Sequence, residues 1–223
     1  MTERPDVTAF AVKDCALAAI ATGQRAQNLR ELRDRLLTVH PGCIYYHFWG
    51  GLLRPRFDDP EYNNDFAFWV RHALHDVPLA ERLAVIDPAD YPALETLRQE
   101  LVEVIEERID EYDYQTWARP DQQFHFVRSQ TVAFDTARRL HEPRELASTV
   151  PGLALGSIFY HVIDARRREP HGIDDFRAWL AQFGDTHQGL IARLAEVDPY
   201  FINLAELRQL LAQRVSHCIL LIA

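Results

Sequence analysis

The stretch CIYYHFWGG, Cys43 to Gly51, sets one histidine among aromatics, and the phrase returns as SIFYHV, Ser157 to Val162. Working outward from His47 and His161, one constant offset holds without a gap from Phe10/Phe124 to Arg54/Arg168. Identities within that block include Ala19/Ala133, Thr22/Thr136, Arg25/Arg139, Gly42/Gly156, Ile44/Ile158 and Tyr46/Tyr160, and Arg30-Glu31-Leu32 recurs as Arg144-Glu145-Leu146. An insertion after Arg54 shifts the register. The match resumes at NDFAFW and DDFRAW, then LAERLAVIDP and LIARLAEVDP, then LETLRQEL and LAELRQLL. Insertions of that kind belong in loops, and a match sustained at one period marks a duplicated unit. The expected organisation is a first helical repeat over 8–111, a linker over 112–121 and a second helical repeat over 122–219, the halves interlocking as one globular unit.

Each repeat opens with an alternating stretch, TAFAV or FHFVR, that fits a short strand. A helix is expected over TGQRAQNLRELRDRLL, rich in helix formers, with Thr22 as its cap; in the second repeat Pro143 should start that helix or break it. Next come the histidine-bearing helix and a helix from DFAFWVRHAL or DFRAWLAQF, where Phe66, Trp69, Val70 and Ala73 fall at i, i+3, i+4 and i+7. The last helix of each repeat carries an apolar stripe, Leu94, Leu97, Leu101, Ile105 and Ile109 answered by Leu204, Leu207, Leu211 and Val215. The expected fold class is mostly α: an internally duplicated helical bundle with pseudo-twofold symmetry and at most a small β-ribbon from the starts of the two halves.

With 223 residues, 48% of them hydrophobic, the chain can bury a proper core. Its 24 Lys and Arg against 33 Asp and Glu, a formal −9, give no global field to hold nucleic acid or an anionic membrane. Cys15, Cys43 and Cys218 have neither disulfide nor metal-site spacing and read as reduced core thiols of a cytoplasmic protein. The start MTERPDVTAF lacks a signal-peptide pattern. The ending HCILLIA is too short to cross a bilayer, and its Ile219 to Ile222 reads as a contact surface. A homodimer or another protein partner is the associated option. No nucleophile elbow, glycine-rich phosphate loop or dinucleotide fingerprint is written here, and the sequence leaves the cofactor unknown.

The duplicated polar residues carry the functional expectations. His47 and His161 lie on the apolar face of their helix, and Arg54 and Arg168 stand two turns on, on the same face. Asp65 and Asp175 open the following helix. Three readings compete for the histidines. They are core residues with satisfied nitrogens; or Tyr46, His47, Arg54, Tyr160, His161 and Arg168 line a pocket for an anionic small molecule; or His47 and His161 hold a metal with Asp65 and Asp175, as in a metal-dependent hydrolase. Asp65 and Asp175 also read as helix caps. The His-Asp pair in HALHD, His72 to Asp76, is set aside, because the second half does not repeat it. The basic run ARRREPHG, Ala165 to Gly172, favours the second copy if one alone is functional.

The pattern of Arg-Glu-Leu, Tyr-His, Asp-Phe-x-x-Trp and Arg-Leu-Ala-x-(I/V)-Asp-Pro resembles a bacterial and archaeal family known only as a domain of unknown function. The resemblance rests on Ile44–His47, Asp65–Trp69, Arg82–Pro88 and their echoes at Ile158–His161, Asp175–Trp179 and Arg193–Pro199, and so covers nearly the whole chain. Members occur near glycosyltransferase genes, which implies a link to carbohydrate metabolism. No activity comes with the resemblance, and the expected function is a non-catalytic binding or accessory protein.

Overall fold

Phe10 and Phe124, both buried, open two strands far longer than the alternating stretches suggest. The structure, a computed structural model, describes residues 7–54, 61–111, 117, 119–168 and 172–222. In it β1 (Phe10–Ala26) and β2 (Phe124–Leu140), each of 17 residues, pair as a two-stranded antiparallel sheet. The expectation of a mostly α helical bundle with at most a small ribbon is thereby corrected: the chain is largely helical but also carries a long two-stranded antiparallel sheet. A pseudo-twofold axis, expected from the repeat, is not a feature this fold establishes.

The strands run on through ATGQRA and TARRL, whose Ala, Gln and Arg favour helix by a few tenths of a kcal/mol each. Cross-strand pairing outweighs that local preference. Thr22, expected as a helix cap, is instead a strand residue whose Oγ1 donates to Phe126 O at 2.6 Å, and Gly23 after it takes φ +75°. Thr136 donates likewise to Val12 O at 2.5 Å, followed by Ala137 at φ +61°. A left-handed residue inside an antiparallel strand bends it and tightens its twist.

The chain divides into two compact units, Leu17–Thr131 and Met1–Ala16 with Val132–Ala223. Both strands are shared. The central unit takes the second half of β1 and the first half of β2, and the outer unit takes the other halves.

In the central unit, α1 (Leu29–Leu36) starts at Asn28, whose Oδ1 accepts from Glu31 N at 2.9 Å while Glu31 Oε2 accepts from Gln27 N at 2.9 Å. The glutamate half of this cap recurs in the second copy, where Glu145 Oε2 accepts from His141 N at 2.6 Å and Glu142 N at 2.9 Å, which accounts for the repeated glutamate. Helices α2 (Pro41–Trp49), α3 (Asp65–Ala73), α4 (Val77–Ala84) and α5 (Leu94–Glu111) complete it. Leu32, Leu36, Ile44, Phe48, Phe66, Leu79, Leu83, Leu97, Leu101 and Ile105 are fully buried and form its core. Helix α5 also buries two cations. Arg98 caps the end of α1 by donating to Leu36 O and, at 2.8 Å, to Val39 O. Arg108 holds Asp76, the N-cap of α4, at 2.8 and 3.0 Å.

In the outer unit, α6 (Glu145–Thr149) is followed by α7 (Leu155–Ile158), a π-helical turn over Phe159–Asp164 and α8 (Ala165–Arg168). Helices α9 (Asp175–Ala181), α10 (Gln188–Ala195) and α11 (Leu204–Ile222) pack on these. Its core includes Leu146, Val150, Ile158, Phe159, Leu180 and Leu207. Arg208, at the position of Arg98, donates to Leu153 O at 2.8 Å. No described helix is long and apolar enough to cross a membrane. The side chains of Ile219 to Ile222, and positions 112–116 and 118 of the expected linker, lie outside the described residues.

Candidate functional site

A two-stranded sheet has two open edges, and every edge N–H that turns away from the partner strand needs an acceptor. The duplicated histidines supply one each. In the central unit His47, on α2, accepts from Val127 N of β2 at 3.1 Å through Nε2. In the outer unit His161, in the π-helical turn, accepts from Lys13 N of β1 at 2.9 Å through Nε2. An Nε2 that accepts a backbone N–H carries no proton, so the proton of the neutral ring sits on Nδ1. Nδ1–H then donates to Asp65 Oδ2 at 2.8 Å in the one unit and to Asp175 Oδ2 at 2.7 Å in the other.

Burial reinforces this arrangement. The two histidines are only 5% and 2% exposed. His161 packs against Phe10 at 4.8 Å and Phe176 at 5.6 Å between ring centroids, and His47 against Phe124 at 4.7 Å and Phe66 at 5.3 Å. Trp179 Nε1 donates to Thr8 O at 3.0 Å and Trp69 Nε1 to Gln122 O at 2.7 Å, tying the foot of each strand to α9 and α3. All four ring nitrogens are therefore engaged. No lone pair is left for a metal or for accepting a proton from a substrate without breaking a backbone bond. Among the described residues no group of three or more His, Cys, Asp or Glu could hold a metal ion.

Asp65 and Asp175 do not cap their helices. The caps are the residues before them, Asn64 and Asp174, whose side chains accept from Ala67 N and Arg177 N, both at 2.9 Å. One residue further on, each aspartate faces back to its histidine. The HALHD pair is likewise committed elsewhere: His72 Nε2 meets Glu61 Oε2 at 2.9 Å, and Asp76 is held by Arg108.

The tyrosines and arginines come together in both units, but not in the same way. Arg54 is exposed, donates from Nη2 to the Tyr46 hydroxyl and sets its guanidinium 4.9 Å from the centroid of that ring. Gly50 makes room for this, since a Cβ there would come within 2.9 Å of the Tyr46 ring. Arg168 lies 3.9 Å from the Tyr160 ring centroid and is tied down by Asp164 at 2.8 Å through Nε, and by Tyr160 O at 2.8 Å and Asp175 at 3.1 Å through Nη2. Burial works against its charge, but Asp175 and Asp164 outweigh that and raise its pKa above the usual arginine value.

Sequence reasoning missed Lys13, whose side chain lies 5.8 Å from the Tyr160 ring centroid, and Asp164, for which the first repeat has Gly50. Nearby, Cys15 donates from Sγ to Gly156 O at 3.3 Å. Burial, then Asp164 and Asp14, push its thiol up to about 12, too high for a nucleophile at neutral pH.

Fold and site together define an α+β protein in which buried, neutral histidines pin the edges of a shared ribbon and tyrosine–arginine pairs flank them. The chain belongs to the family of unknown function DUF5752, whose model matches residues 7–216. Among solved structures it is similar to OrfY from Thermoproteus tenax, at 27% identity and a TM-score of 0.81, over 94% of this chain and 95% of that one. No curated relative matches.

Proposed function

We propose that this is a non-catalytic binding or accessory protein that recognises an anionic small molecule through the tyrosine–arginine pair beside each histidine. One observation carries the reading: all four imidazole nitrogens are used in structural hydrogen bonds, whereas the guanidiniums over Tyr46 and Tyr160 keep solvent access, Arg54 being exposed and the Arg168 side chain 36% exposed. A planar guanidinium held on an aromatic face is pre-oriented for a phosphate or carboxylate. The link to glycosyltransferase genes that the resemblance implies puts sugar phosphates and nucleotide sugars first as ligands. The metal-dependent hydrolase built on His47, His161, Asp65 and Asp175 has no observation in its favour.

The test is thermal unfolding against sugar phosphates, nucleotide sugars and divalent metals, because a ligand that binds only the folded state raises the midpoint. A rise with the anionic sugars that disappears in the Arg54→Ala, Arg168→Ala double variant is expected. Since Arg168→Ala also removes one partner each from Asp164 and Asp175, the ligand-dependent increment is the readout and not the bare midpoint. A rise with divalent metals alone refutes the proposal.

A further inference from the structure

We infer that the outer unit carries a phosphate-binding site whose deciding cation is Lys13, an inference that rests on the anion-binding reading above and gives that unit the tighter of the two sites. Lys13 is fixed at its backbone, because its N–H is the one held by His161 Nε2 at 2.9 Å. Its ammonium lies 5.8 Å, and the Arg168 guanidinium 3.9 Å, from the centroid of the same Tyr160 ring. Two cations thus share one aromatic ring. The Tyr160 hydroxyl makes no hydrogen bond to a described residue, so the ring that both cations approach also carries a neutral donor.

The charges decide what such a site would take. Asp164 and Asp175 orient Arg168 through Nε and Nη2 but also offset its charge, and Nη1 is used in neither bond. Asp14 is turned to its own chain, with Oδ1 accepting from Cys15 N at 2.9 Å. Lys13 forms no ion pair within 4 Å among the described residues; Asp135, which feels its charge, is itself paired with Arg139 at 2.6 Å, so the lysine supplies the positive charge that Arg168 alone does not. A lysine point charge, one guanidinium N–H and a hydroxyl are three donors for the three outer oxygens of a phosphate monoester. The central unit lacks this set. There the residue whose N–H is held by histidine is Val127, and the Tyr46 hydroxyl is already bonded to Arg54.

The probe is inorganic phosphate, titrated by calorimetry at constant ionic strength into the full chain and into Lys13→Ala, Tyr160→Phe and Arg54→Ala. Lys13→Ala keeps the backbone N–H that His161 needs, and circular dichroism checks that each variant is folded. Expected are a tighter site weakened roughly tenfold in Lys13→Ala, as for one charge-assisted hydrogen bond, a smaller loss in Tyr160→Phe, and in Arg54→Ala the loss of the weaker central-unit binding alone. Binding abolished in Arg54→Ala but kept in Lys13→Ala would overturn this inference while leaving the anion-binding reading standing. No phosphate binding by the unaltered chain would overturn both.

Discussion

Removing the imidazole of His161 tests the account of the histidines most directly. His161→Ala leaves Lys13 N–H at the ribbon edge without its acceptor and Asp175 without one of its two donors. A buried donor left unpaired costs about 1–3 kcal/mol. Asp175 keeps Arg168 and should lose less, about 1 kcal/mol. The ring also leaves a gap beside Phe10 and Phe176, adding roughly 1 kcal/mol for lost packing. A loss of about 3–5 kcal/mol is therefore expected, a large share of the roughly 5–15 kcal/mol that holds a domain together. Urea unfolding followed by tryptophan fluorescence measures it, with Trp179 reporting from beside Phe10 at 5.4 Å. His161→Gln, whose amide oxygen can reach the same N–H, should recover part of the loss. Amide exchange at Lys13 should accelerate sharply in His161→Ala and less in His161→Gln. A cost below about 1 kcal/mol in the alanine variant, with Lys13 still protected, would refute the claim that the ring pins the ribbon.

Two further perturbations follow from single positions. Gly23→Ala should lower stability by about 1 kcal/mol and Ala137→Gly should raise it by a smaller amount, about 0.5 kcal/mol, because a left-handed backbone costs an L-residue about 1–2 kcal/mol against the unfolded-state entropy that glycine adds. Nothing lies within 4 Å of a Cβ built on Gly23, so an equal loss and gain of contacts cannot mimic the effect in a denaturation series. Asp174 is buried, and burial raises its pKa despite the opposing pull of Arg177 N, Arg177 and Arg166. Its proton is therefore held more tightly in the folded state, and the stability this group contributes is present below the unfolded pKa and lost as pH rises through the folded one. At its position the central unit has Asn64, whose amide donates to Leu83 O at 2.9 Å. Asp174→Asn should accordingly stabilise the protein at pH 7, by about 1 kcal/mol, with the advantage shrinking as the buffer is acidified; a variant less stable than the parent at pH 7 would show that the charge is needed.

What the sequence made legible was local. Periodicity found the faces of α3, α5 and α11, and the helix face carrying His47 and His161 pointed them inward as observed. The length of the ribbon was hidden because Ala, Gln and Arg in β1 and β2 have helical preferences, and only pairing with a strand more than a hundred positions away reverses them. Cap and histidine partner were confused at Asp65 and Asp175 because two acidic or amide residues stand together at each helix start, Asn64-Asp65 and Asp174-Asp175, and one position decides which way a side chain faces. Lys13 was invisible for a different reason. It lies 148 residues from His161, and its equivalent, Val127, shares none of its chemistry.

The sharing of strands between units sets an order in time. Everything in Leu17–Thr131 is contiguous in the chain, so on the ribosome the central unit has all its parts before the outer one does. The outer unit needs Phe10 and Lys13, made before the central unit, to meet His161, Phe176 and Trp179, made after it. Until then the opening segment of β1 has an unclaimed edge. A contact of such long range is slow to form, and the outer unit is therefore the part of this molecule whose assembly a chaperone would have most time to attend.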